Sequence, residues 1–171
     1  MNQTLLYLLE TKGPILLNVS DESIFEECMD SCYFNKINFT NCSFEECELV
    51  GTNFNFCFFE NCTFDKTIIQ KSEVTDCVFK NCHFIESELA PKTNFYRTVF
   101  MDCNFSSIDF SFSFLSECEF VKVNLSQIKL KGILIRNLKT IESTTFNDLE
   151  FDEVYPMKIS ITDSSYFPKK I

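Results

Sequence analysis

From Phe34 onward every fifth residue is apolar: Phe34, Phe39, Phe44, Leu49, Phe54, Phe59, Phe64, Ile69, Val74, Phe79, Phe84 and Leu89. After a slip of one residue across Pro91–Thr93 the period resumes at Phe95, Phe100, Phe105, Phe110, Leu115, Phe120, Leu125, Leu130 and Ile135. A weaker stretch, one further residue out of phase, reads Ile141, Phe146 and Phe151. Two residues before each centre stands a small or β-branched residue, and nine of the ten cysteines fall at this position. A period of five fits neither a helix, whose faces recur every 3.6 residues, nor a flat strand, whose faces alternate. It describes a coil whose short straight sides each present one large side chain inward before the chain turns a corner.

Residues twenty apart, or four units of five, are alike. The dipeptides Asn41-Cys42, Asn61-Cys62 and Asn81-Cys82 are identical, and Phe39/Phe59/Phe79, Phe44/Phe64/Phe84 and Leu49/Ile69/Leu89 form columns. Stacked coils pair as parallel strands about 4.8 Å apart, a spacing at which Phe rings stack. The Asn column is expected to satisfy backbone groups at the corners, as Asn does in turns.

Units such as Cys42-Ser43-Phe44-Glu45-Glu46 and Thr52-Asn53-Phe54-Asn55-Phe56 resemble the repeat of the pentapeptide-repeat family, over about residues 32–137. The resemblance implies an all-β fold, a right-handed quadrilateral β-helix with the Leu or Phe and the small residue inward. The chain divides into an N-terminal cap at 1–23, repeats at 24–153 with phase slips near 91–93 and 136–140, and a C-terminal cap or dimerisation segment at 154–171. Gln3–Glu10 has the pattern of a short amphipathic helix stopped by Gly13-Pro14, and Ile15–Val19 that of an edge strand. At Ile24–Asp30 the signal is mixed, since Ile24 and Met29 keep the phase and Cys28 does not. Met157–Phe167 alternates weakly and suits either a cover for the last coil or a contact with a second subunit.

Composition narrows the chemistry. The formal net charge is −10, from 25 acidic and 15 basic residues, which disfavours direct nucleic-acid binding, since that depends on clustered Lys and Arg. No apolar run approaches the roughly 20 residues needed to span a bilayer. Met1–Glu10 lacks a basic start and a cleavage site, so the cytoplasm and reduced thiols are expected. Cysteines five residues apart, such as Cys57/Cys62, sit on adjacent sides of a coil rather than converging on a tetrahedral metal. Cysteines twenty apart place Cβ atoms wider than a disulfide needs. Buried thiols acting as small hydrophobes are expected, with no metal and no cofactor. A single outward histidine, His83, and three scattered glycines offer no nucleophile–base set and no phosphate loop, so the chain is not expected to be an enzyme.

Function is therefore sought on the outside. One expected surface is an acidic face at Glu45, Glu46, Glu48, Asp65, Glu86 and Glu88, interrupted by Lys66 and Lys71. A second is an apolar stripe of Phe58, Val78, Val99, Met101 and Val121 with Phe56 and Tyr96 on its border; such a stripe marks a contact with a partner or a second copy, or lies under a terminal segment. The expected function is a non-enzymatic protein-interaction solenoid. The resemblance adds an alternative, because some bacterial members of the family protect DNA gyrase and topoisomerase IV from quinolones or peptide toxins as acidic, dimeric DNA mimics. The partner would then be a type II topoisomerase and the protein a homodimer.

Overall fold

The computed structural model describes residues 17–150 and 155–164, and among them the chain forms nineteen strands and no helix. All pair in parallel with the strand one coil away. Side one stacks Tyr33–Asn35, Asn53–Asn55, Glu73–Thr75, Asn94–Tyr96 and Phe114–Ser116. Side two stacks Leu17–Ser20, Ile37–Thr40, Phe58–Glu60, Val78–Lys80, Val99–Met101 and Glu119–Val121. Side three stacks Ser23–Phe25, Ser43–Glu45, Thr63–Asp65, His83–Ile85, Asn104–Ser106 and Asn124–Lys129. Side four is held by single bridges linking Cys28, Glu48, Ile68, Glu88, Asp109 and Lys129. The long strand Leu134–Glu150 winds past all four sides in turn.

Every fifth residue turns a corner in the left-handed region. Twenty-two non-glycine residues from Asp21 to Asn137 have φ between 47° and 64°, joined by Gly51 and Gly132. Such a conformation costs a non-glycine residue roughly 1–2 kcal/mol. Each corner amide offsets part of that cost by donating to a carbonyl one coil on, as Asn41 N does to Glu60 O and Asn61 N to Lys80 O. The corner asparagines bond to one another instead of to the backbone, contrary to expectation. Asn81 Nδ2 donates to Asn61 Oδ1 at 2.8 Å, Asn61 to Asn41 at 3.1 Å and Asn41 to Asp21 at 2.9 Å.

The interior is built from columns. Phe39, Phe59 and Phe79 stack at 4.8 and 4.6 Å, and Phe44, Phe64, Phe84 and Phe105 at 4.8, 4.8 and 4.6 Å, with ring planes within 6° of parallel. Rings on neighbouring sides meet edge to face, as Phe59 and Phe64 do at 5.6 Å. The residue two before each centre also points inward, and from Cys42 onward the Ser, Thr and Cys at this position donate to a carbonyl of the preceding coil. Thr52 Oγ1 reaches Met29 O at 2.8 Å, Ser72 Oγ reaches Leu49 O at 2.8 Å, and Cys62 Sγ reaches Phe39 O at 3.5 Å. Ser, Thr and Cys share the position with the buried Ile37, Ile108, Val123, Ile128 and Ile133, which fill the same place without a donor.

Two boundaries differ from the sequence reading, and the first slip keeps its place near 91–93. Val19 and Ile24 already stand in register with Phe39 and Phe44, so the repeat begins inside the segment assigned to the N-terminal cap. The first extra residue enters at Ala90–Pro91, just ahead of the corner at Lys92. The second slip lies after 136–140: Phe120 pairs with Thr140 and Val121 with Ile141, but Leu125 pairs with Phe146. Thr140 is therefore the buried centre and Ile141 faces outward. Tyr155–Ser164 pairs in parallel with Leu134–Glu150 and so adds a further rung. The helix expected at Gln3–Glu10 lies outside the described residues.

Phe64 is fully buried between two parallel rings, whereas Phe56 occupies a corner and is 55 % exposed. Phe64→Ala is expected to cost about 3–5 kcal/mol and Phe56→Ala less than about 0.5 kcal/mol, measured by urea unfolding. Equal losses would contradict the column arrangement.

Candidate interaction surfaces

The corner between sides three and four gathers the expected acidic residues. Glu45 pairs with Asp65 on the last outward position of side three. Glu46, Lys66 and Glu86 follow as successive corner residues with φ of 53°, 48° and 47°. Glu48, Ile68, Glu88 and Asp109 then form the first outward column of side four. All six expected residues thus lie in three adjacent columns. Lys66 Nζ sits 3.4 Å from Glu46 Oε1, and Gln70 Nε2 donates to Glu88 Oε2 at 2.6 Å. Lys71 stands away from them, at the corner between sides four and one. Asp109 extends the acidic column, and the period had concealed it because side four beyond Leu89 follows the phase slip. Glu86, Glu88, Ser107, Asp109, Gln127 and Lys129 line a shallow open groove along this corner.

Side two carries the apolar stripe as a diagonal. Phe58, Val78 and Val99 stack in one outward column, and Met101, Val121 and Ile141 in the other. Ile141 belongs to the stripe, and the sequence concealed it because its phase placed it inside. Phe56 adds an exposed ring at the corner leading into side two. Tyr96 borders the stripe from side one, as the last outward residue before the corner at Arg97. It lies on side one beneath Arg97, whose guanidinium carbon is 4.1 Å from the ring centroid, and Arg97 grips Asp76 with two hydrogen bonds of 2.6 Å. Lys80–Glu60 at 2.8 Å and Lys139–Glu119 at 2.6 Å frame the stripe. A second outward apolar group, absent from the sequence reading, is Phe112 with Leu134 and the half-exposed Phe114. The Phe112 ring lies over Gly132, where an added Cβ would come within 2.7 Å of it.

Titratable groups follow from these contacts. The Arg97 fork holds the Asp76 carboxyl below the usual carboxylate range. Burial pushes the Cys118 thiol up to about 12 and raises Cys47, so both stay protonated. His83 is exposed on side three, between Thr63 and Asn104 in its column. The out-of-phase Cys28 is exposed beside Asp30 and Glu48. Among the described residues no helix is long and apolar enough to cross a membrane.

The sequence profile described as pentapeptide repeats matches the chain in 8 copies, over residues 28–65, 42–81 and 98–137. No curated protein matches the chain. Among solved structures it is similar to QnrB1, described as a plasmid-mediated fluoroquinolone resistance protein, at 15% identity and a TM-score of 0.39, over 80% of this chain and 94% of that one. It is also similar to HetL of the cyanobacterium Nostoc, a pentapeptide repeat protein involved in heterocyst differentiation regulation, at 8% identity and a TM-score of 0.45, over 91% and 92%. Rfr23 of the cyanobacterium Cyanothece aligns at 16% identity and a TM-score of 0.30, over 86% and 97%.

The depressed Asp76 carboxyl gives a pH signature. A group whose folded pKa is lowered stabilises the fold above its unfolded value, about 3.9, and loses that contribution as pH falls through the folded value. Asp76→Asn is expected to lower stability at neutral pH by less than about 1 kcal/mol, since the pair is exposed. The difference from wild type vanishes in strong acid. Urea midpoints across pH check this, and a difference that does not change with pH would contradict it.

Proposed function

We propose that this chain, which belongs to the pentapeptide-repeat family, is a protein-binding rod and not an enzyme, with the outward diagonal of side two as its contact surface. The observation that carries this reading is Phe56. It holds a left-handed corner at φ 54° while 55 % exposed, so folding gains little from a Phe there. It stands two residues before Phe58, which heads the outward column of Val78 and Val99 on a side whose inward positions are already filled. Contiguous outward apolar surface of this kind marks association, with a protein partner or with a second copy in a homodimer. Immobilised wild type is expected to retain a partner that the double variant Phe56→Asp, Val99→Asp does not retain. Identical retention by both proteins would sink the reading.

A second reading is supported by the acidic corner. Rows of carboxylates on a narrow rod resemble the field of duplex DNA, and the family resemblance points to a type II topoisomerase as the partner. Purified protein is expected to inhibit gyrase supercoiling or to protect gyrase from a quinolone. The effect disappears when Glu45, Glu46, Glu86 and Glu88 are replaced by Lys. Inactivity against several bacterial topoisomerases at tens of micromolar would rule this reading out and leave the contact surface of side two in place.

A further inference from the structure

Six of the ten cysteines stack directly on one another. Cys42, Cys62, Cys82 and Cys103 precede the ring column of side three, and Cys57 and Cys77 precede neighbouring rings of side two. All six are buried and free. Their sulfurs occupy equivalent places, because each donates to the same kind of carbonyl one coil back. Cys42 reaches Val19 O, Cys62 Phe39 O and Cys82 Phe59 O at 3.5 Å, and Cys103 reaches Phe79 O at 3.3 Å. Equivalent sulfurs repeat with the coil rise, which the adjoining rings measure as 4.8 Å for Phe44–Phe64, 4.8 Å for Phe64–Phe84 and 4.6 Å for Phe84–Phe105. The Phe59–Phe79 rings beside Cys57 and Cys77 are 4.6 Å apart.

That spacing suits neither of the usual fates of paired thiols. A disulfide needs Cβ atoms about 3.5–4.5 Å apart, and zinc needs four converging ligands. A metal–thiolate bond of about 2.3 Å, taken twice in a line, spans about 4.6 Å, the rise of the coil. We propose that neighbouring rungs of the thiol ladders form two-coordinate sites for a soft, divalent d10 cation of the mercuric type. Thiolate is the ligand that such soft ions select. On binding, two Cys–SH groups each lose a proton to solvent and two metal–sulfur bonds form, with no change of oxidation state. Two thiolates and a divalent ion make a neutral unit, whereas a monovalent ion would leave a buried negative charge, which is costly. The thiol hydrogen bonds given up are long and weak, since S–H is a poor donor.

Hydrogen bonding alone does not call for thiols in these columns, because hydroxyls serve the same position on other sides. Thr67 Oγ1 donates to Phe44 O at 2.9 Å, and Ser87 Oγ to Phe64 O at 3.0 Å. Cys47 and Cys118 act as internal controls. Cys47 adjoins Thr67 in its column, and Cys118 stands between Thr98 and Leu138, so neither has a sulfur one rung away.

The test uses the full chain carrying Cys28→Ser and Cys32→Ser, titrated with mercuric ion under argon. Expected are three ions per chain on six thiols, two protons released per ion, a raised Tm and an unchanged β circular-dichroism spectrum. Absorption at the mercury edge then shows two sulfurs at about 2.3 Å. Adding Cys62→Ser and Cys103→Ser leaves Cys42 and Cys82 two rungs apart, and uptake falls to one ion per chain. Serine occupies the same inward position at Ser72 and Ser87, so these variants keep the hydrogen bond, and their circular dichroism verifies folding. Uptake that ignores these substitutions, a shell of three or four sulfurs, or binding that destroys the β spectrum would each overturn the proposal.

Discussion

The vertical rise between coils governs everything else in this molecule. Parallel backbone pairing fixes it near 4.8 Å, and any side chain twenty residues from another is held at that distance whether or not the two attract. Phenylalanine exploits the constraint best. Rings such as Phe44, Phe64 and Phe84 stack within 4° of parallel at 4.8 Å, each pair worth about 0.5–1.5 kcal/mol beyond burial. Asparagine ladders at Asn41, Asn61 and Asn81 and the pair Lys80–Glu60 use the same distance with different chemistry. Where the column changes partner, the stacking changes with it. Phe120 lies over Thr140 instead of another ring, and it meets Phe100 edge to face at 85°.

The corners impose the second constraint. Twenty-two non-glycine residues in the left-handed region represent a cost that only a continuous ladder of backbone hydrogen bonds offsets. Because those bonds use main-chain atoms alone, corner side chains are free to vary. Lys, Glu, Asn, Asp, Ser, Arg and Phe all occur there. Freedom at the corners and on the outward positions beside them lets the surface carry function while the interior stays monotonous. Gly132 is an exception with a local cause, since the Phe112 ring fills the space a side chain would take.

These two constraints explain what the sequence disclosed. The period of five exposed the centres, and likeness at twenty exposed the columns, because identical residues stack on themselves. The site residues on the acidic corner could be placed together by counting alone. Counting failed where an extra residue entered without an apolar marker. Ile141 looked like a centre because it is apolar and Thr140 is not, yet the rung below Phe120 holds the threonine. The same error hid Ile141 from the apolar stripe. Counting also puts Tyr96 beside the stripe, but does not give its contact with Arg97, which bends over the ring to reach Asp76. The asparagines were assigned to the backbone because a single turn would use them so; only the stack gives each amide an identical neighbour.

Like charges directly opposite one another on paired strands destabilise them, and most columns avoid this. Glu60 faces Lys80, Asp76 faces Arg97 and Glu119 faces Lys139. The corner between sides three and four is mixed, since Glu46 faces Lys66 there. Glu45 stands directly beside Asp65, and Glu88 beside Asp109. Keeping carboxylates on adjacent rungs costs stability there, and the opposite charges of Glu46 and Lys66 recover part of it.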